Sequence, residues 1–202
     1  FRAEWIEQCV KRGEGREMPL SLTMLPSGYK TVTGVDIGTR QHDRADLSCL
    51  FTPCLHPDAS REVLCVESGR WTGPEIIQRI ESHHRRFRST VFVESNAAQD
   101  FIRQFMPKKS KVPVLPFLTD GTKWDPETGV ESLAVEMFQA KWIIPSKGGV
   151  VAPEVAAWIQ EMLYFRPDAH TGDRLMSSWI AREGARRRGR GTTGLKADLL
   201  KR

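Results

Sequence analysis

No Cys-x-x-Cys pair occurs among the four cysteines, Cys9, Cys49, Cys54 and Cys65, so neither a paired-cysteine zinc ribbon nor a redox dithiol is encoded. A body of 202 residues needs no disulfide staples, which makes reduced, intracellular thiols the default. A zinc site from Cys49, Cys54 and His56 would have a spacing that matches no common ligand pattern. No apolar run approaches the roughly 18 residues of a membrane span, and no basic-then-apolar leader opens the chain; a soluble protein with no membrane partner is expected. The phosphate loop GxxxxGK[ST] is also missing, so ATP binding is not expected of this piece. The chain opens on Phe1 rather than Met, as a piece of a longer polypeptide would. What is present is ordinary for a folded domain: 40% hydrophobic residues and 16 glycines, which excludes disorder for the bulk.

The formal charge is +5, and its placement says more than its size. From Arg182 to the end, eight Lys and Arg stand against Glu183 and Asp198, leaving residues 1–181 with 22 basic and 23 acidic side chains. A basic tail on a near-neutral body suits contact with a polyanion, nucleic acid first, although a solvated helix end would look the same.

Residues 1–29 hold a short amphipathic piece and then Gly, Glu and Pro without period, and read as a connecting segment. KTVTGVDI, ADLSCLFTP and EVLCVES follow as closely spaced β-rich runs, the pattern of an antiparallel meander. From Gly73 the rhythm becomes helical: Ile76, Ile77, Ile80 and Phe87 recur on one face, with Pro74 in the first turn. TVFVE is a short buried strand, AAQDFIRQFM a helix, VPVLPFL extended, ETGVESLAVEMFQ a helix, and WIIP and GVV short extended pieces. PEVAAWIQEMLYF and GDRLMSSWIAREGARRR are the last two helices. The order β-β-β-α-β-α-β predicts an α/β fold with a mixed sheet flanked by helices, spanning 30–188 and followed by a flexible basic tail, 189–202.

Three acids stand where stability alone would not put them. Asp36 interrupts an apolar strand between Gly34 and Gly38, a position of poor β-propensity. Glu94 ends the TVFVE strand, at the sheet edge where open α/β sheets bind ligands. Asp173 opens the last long helix, where complementing the helix dipole would explain it equally well. In this topology the first and fourth strands can be neighbours, which would bring Asp36 and Glu94 together and let the late helix add Asp173. Clustered carboxylates raise one another's pKa unless a cation neutralises them, and an all-oxygen site suits Mg²⁺ or Mn²⁺.

GVDIG on the first strand, DRADLSCLF on the second, VFVESN on the fourth, the GDRLM helix start and the stretch TDGTKWDPETGVESLAVEMFQAKWIIP together resemble the ribonuclease H-like nuclease fold. More narrowly, they resemble the nuclease domain of the large terminase subunit of tailed bacteriophages. The resemblance implies a ribonuclease H-like mixed sheet and an endonuclease that cuts double-stranded concatemeric viral DNA during genome packaging by two-metal hydrolysis. It implies Asp36, Glu94 and Asp173 as catalytic and metal-binding, with two Mg²⁺ or Mn²⁺ ions. Asp46 is implied as an auxiliary metal ligand, with Asp43 as its competitor. Where the family has two adjacent acids at the final helix start, Gly172 takes the place of the first. An ATPase motor in the same polypeptide, portal and small terminase subunit as partners, and the cytoplasm of an infected bacterial host are implied as well.

Other readings share parts of this pattern. Junction resolvases and transposases of the same fold would use the same acid geometry. GVDIGTR is also similar to the first phosphate loop of actin-like proteins and sugar kinases, which need a duplicated second half that is not present. A DNA-binding assembly module would use the acids as caps and turns. For phosphate contact Lys123 in the TDGTKW loop is the first choice, followed by Lys108, Lys109 and Lys111 beside the Glu94 helix end. Arg79, Arg85, Arg86 and Arg88, with His83 and His84, are what a helix C-terminus attracts anyway. Trp71, Trp124, Trp142 and Trp158 read as core or rim.

Overall fold

Strand and helix periodicities put two apolar faces on one sheet, and the computed structural model, which describes residues 1–38, 47–94, 106, 110–119 and 121–199, shows each covered by helix. The strands are β1 (Lys30–Asp36), β2 (Ser48–Leu55), β3 (Arg61–Gly69), β4 (Thr90–Glu94), β5 (Val114–Phe117) and β6 (Trp142–Ile143). The helices are α1 (Ala3–Arg12), α2 (Gly73–Phe87), α3 (Ser132–Phe138), α4 (Pro153–Leu163) and α5 (Asp173–Leu199), with a 3₁₀ turn at Gly121–Trp124. The sheet order is β5-β4-β1-β2-β3-β6. β1, β2 and β3 form the antiparallel meander, while β4 runs parallel to β1 and β5 parallel to β4. The mixed sheet expected of a ribonuclease H-like fold is therefore present, with β1 and β4 as neighbours. The expected AAQDFIRQFM helix lies outside the described residues apart from its last residue, Met106.

Alternation along β1 divides the two faces. Val35 faces α2 and packs with Ile76, Ile77, Ile80, Val91 and Val93. Val32 faces the other way, into a core with Phe51, Phe92, Trp158, Leu175, Trp179 and Ile180. Gly34 shares that face, and a Cβ there would lie 2.1 Å from the Ser177 carbonyl oxygen, so α5 rests directly on the β1 backbone. α2 starts as its sequence predicts: Pro74 sits in the first turn, and the Glu75 carboxylate accepts the Thr72 N–H at 2.7 Å. Arg88 ends it in the left-handed conformation, φ 55°.

The two chain ends differ from expectation. In the opening segment, α1 is built into the main core rather than merely connecting: Ile6 and Cys9 are buried there, and the Cys9 carbonyl accepts the Ile144 N–H at 3.2 Å. Its amphipathic face is short, and its partners come from residues more than a hundred positions away, which hides it from a local reading. At the other end α5 continues to Leu199, through most of the stretch expected to be a flexible tail. Among the described residues no helix is long and apolar enough to cross a membrane.

Candidate active site

Two strands and one helix deliver three acids to one place. Asp36 is the last residue of β1 and lies on the face shared by Val32 and Gly34, the α5 side. Glu94 is the last residue of β4, and two residues before it Phe92 packs in the α5 core. Because β1 and β4 are parallel, with Val35 opposite Val93, both carboxylates emerge at the same end of the sheet. α5 lies across β1 and begins at that end with Asp173. The three line a cavity of about 170 Å³ together with Lys123, His170 and Thr171.

The electrostatics follow from this crowding. The Asp36 carboxyl is pushed well above the ordinary range, first by burial, then by a hydrogen bond and the charge of Glu94, then by the charge of Asp173; Lys123 offsets part of this. Each flanking acid is held by a neighbour. Thr119 donates its hydroxyl to Glu94 Oε1 at 2.7 Å, and the Leu47 N–H donates to Asp173 Oδ2 at 3.1 Å. Thr171 is buried, and its hydroxyl has no hydrogen-bond partner among the described residues. A half-buried carboxyl with too few cations and an orphaned hydroxyl in the same cavity suit a hard cation with oxygen ligands.

Of the residues singled out in the sequence, Asp36, Glu94, Asp173 and Lys123 meet in this cavity. Asp46, Asp43, Lys108 and Lys109 lie outside the described residues. Lys111 is exposed and precedes Val114, which pairs with Val91 at the end of β4 away from Glu94. It does not stand beside the Glu94 carboxylate, because the chain has crossed the sheet before β5 begins. The cysteine trio is not assembled either: Cys49 pairs with Asp36 and Cys54 with Thr31 at opposite ends of β2, while His56 faces Glu62 at 3.1 Å. Sequence reading missed Thr119, His170 and Thr171. A Thr just past β5 is an ordinary loop residue, and its reach to Glu94 becomes visible only once β5 is known to flank β4.

A second gathering of ligand types was also not foreseen. Cys65, Glu67 and His83 place sulfur, oxygen and nitrogen within reach of one ion. Glu67 is already engaged, with Arg79 at 2.8 Å, Arg86 at 3.0 Å and His83 Nε2 at 3.5 Å. Burial, with Glu67 adding to it, pushes the Cys65 thiol up to about 12, away from the thiolate that a metal needs. His83 Nδ1 is 2.7 Å from Thr52 Oγ1, which continues to Thr33 and Ser89 in a wholly buried polar chain. Internal guanidinium groups fill the cation's place here, and the cluster reads as structure.

No family model matches the chain, and no curated protein matches it either. Among solved structures, the HK97 bacteriophage large terminase superposes with TM-score 0.60 at 12% identity, covering 90% of this chain and 42% of that one. The chain thus spans about two fifths of that protein's length and shares its fold over the matched part. A second structure, T. thermophilus RuvC in complex with a Holliday junction substrate, gives TM-score 0.29 at 15% identity over 75% of this chain and 90% of that one, too loose a superposition to carry weight.

Proposed function

We propose that the chain is a metal-dependent endonuclease, the nuclease part of a terminase-type protein, cutting double-stranded viral DNA in two-metal fashion when genome packaging begins and ends. The observation that carries this is the meeting of Asp36, Glu94 and Asp173 at one sheet end, with Asp36 half-buried and short of compensating charge. The shared fold with the HK97 large terminase supports it. Asp36, Glu94 and Asp173 would hold two Mg²⁺ or Mn²⁺ ions, with Asp46 as an auxiliary ligand. Such ions supply water activation and charge stabilisation at the attacking and leaving oxygens of a phosphodiester.

The residues themselves do the placing. Thr119 fixes the Glu94 carboxylate through Oε1, and the Leu47 N–H holds Asp173 Oδ2. Lys123 supplies the positive charge that a scissile phosphate would meet, through backbone contact that demands no particular base. An ATPase motor in the same polypeptide, a portal, a small terminase subunit and the host cytoplasm belong to this proposal too, as do a nuclease body at 30–188, into which residues 1–29 pack through α1, and a basic end at 189–202 that contacts either DNA or the portal.

Plasmid cutting in Mn²⁺ or Mg²⁺, with loss on adding EDTA, tests the activity. Asp36→Asn keeps the shape and removes the charge, so the variant should fold and lose cleavage by orders of magnitude. Full cutting by Asp36→Asn would sink the assignment.

A further inference from the structure

α5 begins without a cap of its own. Its N-cap position is Gly172, with no side chain to accept the free N–H groups of the first turn; the Met176 N–H reaches the Gly172 carbonyl at 2.8 Å, but the Leu175 N–H, the third in the helix, needs an acceptor from elsewhere. It finds one on the preceding helix: Glu161 Oε2 accepts it at 2.8 Å. This is the bond that an N-cap Ser, Thr or Asp would accept. The carboxylate also lies where such a side chain would begin, since a Cβ on Gly172 would fall 2.5 Å from both Glu161 Cδ and Oε2. The Gly172 backbone does not lie in the left-handed region, and the nearest atoms a Cβ there would meet all belong to the Glu161 side chain. Arg174 closes the arrangement from the other side, giving Nη1 to Glu161 Oε1 and Nε to Glu154 Oε2, both at 2.9 Å.

Between Gly172 and Arg174 stands Asp173. We infer that Glu161 is a positioning residue for the acid cavity: it caps α5 from α4, in the space an N-cap side chain at Gly172 would take, and so fixes where Asp173 presents its carboxylate. A helix start that is tied only to itself frays; one tied to a second helix keeps its first residue in register with β1. The nuclease reading proposed above gives this positioning its purpose, and the cap exists whether or not that reading holds.

The two residues make a swap experiment. Glu161→Ala should speed amide exchange about tenfold at Leu175, which loses its acceptor, and also at Leu47, whose N–H rests on Asp173. Mn²⁺ affinity, measured by calorimetry on the whole chain, should fall about tenfold. Gly172→Ser alone should lower Tm, because Cβ meets the carboxylate. In the Glu161→Ala background the same change should raise Tm and restore Leu47 exchange and Mn²⁺ affinity, with serine capping in the vacated space. Glu161→Gln, which keeps an acceptor oxygen, should retain most of the Leu47 protection. Leu47 exchange unchanged in Glu161→Ala, or Gly172→Ser acting with the same sign in both backgrounds, overturns the proposal. Wild-type protein that neither binds Mn²⁺ nor cuts DNA overturns the nuclease reading instead, and the Leu47 exchange and the Tm reversal still decide the role of Glu161.

Discussion

Two clusters of polar side chains in this chain obey the same electrostatics with opposite outcomes. At the open end of β1, Asp36 faces Glu94 and Asp173 with Lys123 in partial compensation, and its carboxyl is pushed far up. At β3, Glu67 is met by His83, Arg79 and Arg86, and its carboxyl is pulled down to about 2, the hydrogen bond from His83 contributing most. A carboxylate whose cations come from the chain itself is complete on folding. A cluster left short of cations is tense until something from solution supplies them. Under the proposed nuclease reading, that shortfall of cations is what sets the acid cavity apart from the Glu67 network.

Neutralising one member of each cluster should therefore move stability in opposite directions. Glu67→Gln leaves buried His83 and two guanidinium groups without their anion and should destabilise by about 2–4 kcal/mol, read as a lower urea midpoint at neutral pH. Asp36→Asn, in protein freed of divalent ions, relieves repulsion and should stabilise by about 1 kcal/mol, read as a higher Tm. A fall in Tm for both variants would erase the distinction.

Acid titration sharpens the same contrast. The folded Glu67 carboxyl lies below its ordinary value of 4.5, so its contribution is whole above that pH and disappears as pH falls toward 2. The folded Asp36 carboxyl lies above its ordinary value of 3.8; folded protein then binds the proton more readily than unfolded, and stability rises as pH drops through the folded value. Melting curves of EDTA-treated protein should climb on mild acidification before they fall, and Asp36→Asn should lack the climb. A wild-type profile that only falls contradicts this.

The smallest effect concerns a hydroxyl. Thr119→Val removes the donor to Glu94 and should weaken Mn²⁺ binding severalfold with about 1 kcal/mol or less of stability lost. Calorimetry checks it, and equal affinity would show that Glu94 is placed by its strand alone.

How much of this the amino-acid order displayed depends on range. Asp36 and Glu94 stood out because a charged residue breaks a short apolar strand, a contrast visible within five residues, and strand adjacency then joins them. Asp173 was readable as a helix start. Glu161 was not: it sits in the last turn of α4, where the helix dipole gives an acid no local reason to be, and its partner amide belongs to another helix. The Glu67 network was equally opaque, since β3 and α2 had to be folded together before Arg79 and Arg86 could be recognised as its cations rather than as a solvated helix end. α1 passed for a connector because its apolar stripe is two turns long and its core partners lie near Ile144.

Gly34 sits one strand repeat before Asp36, and Ser177, which it touches, sits one helical turn after Asp173. The missing methyl at Gly34 is therefore a gauge block between the two acids. Alanine there would have to lift α5 by roughly an ångström, and the lift would be handed on almost undiminished to the gap between the carboxylates. The tolerance of the cavity is thus machined into the backbone from below, by an atom that is not there, and a Gly34→Ala chain would carry every acid intact at the wrong spacing.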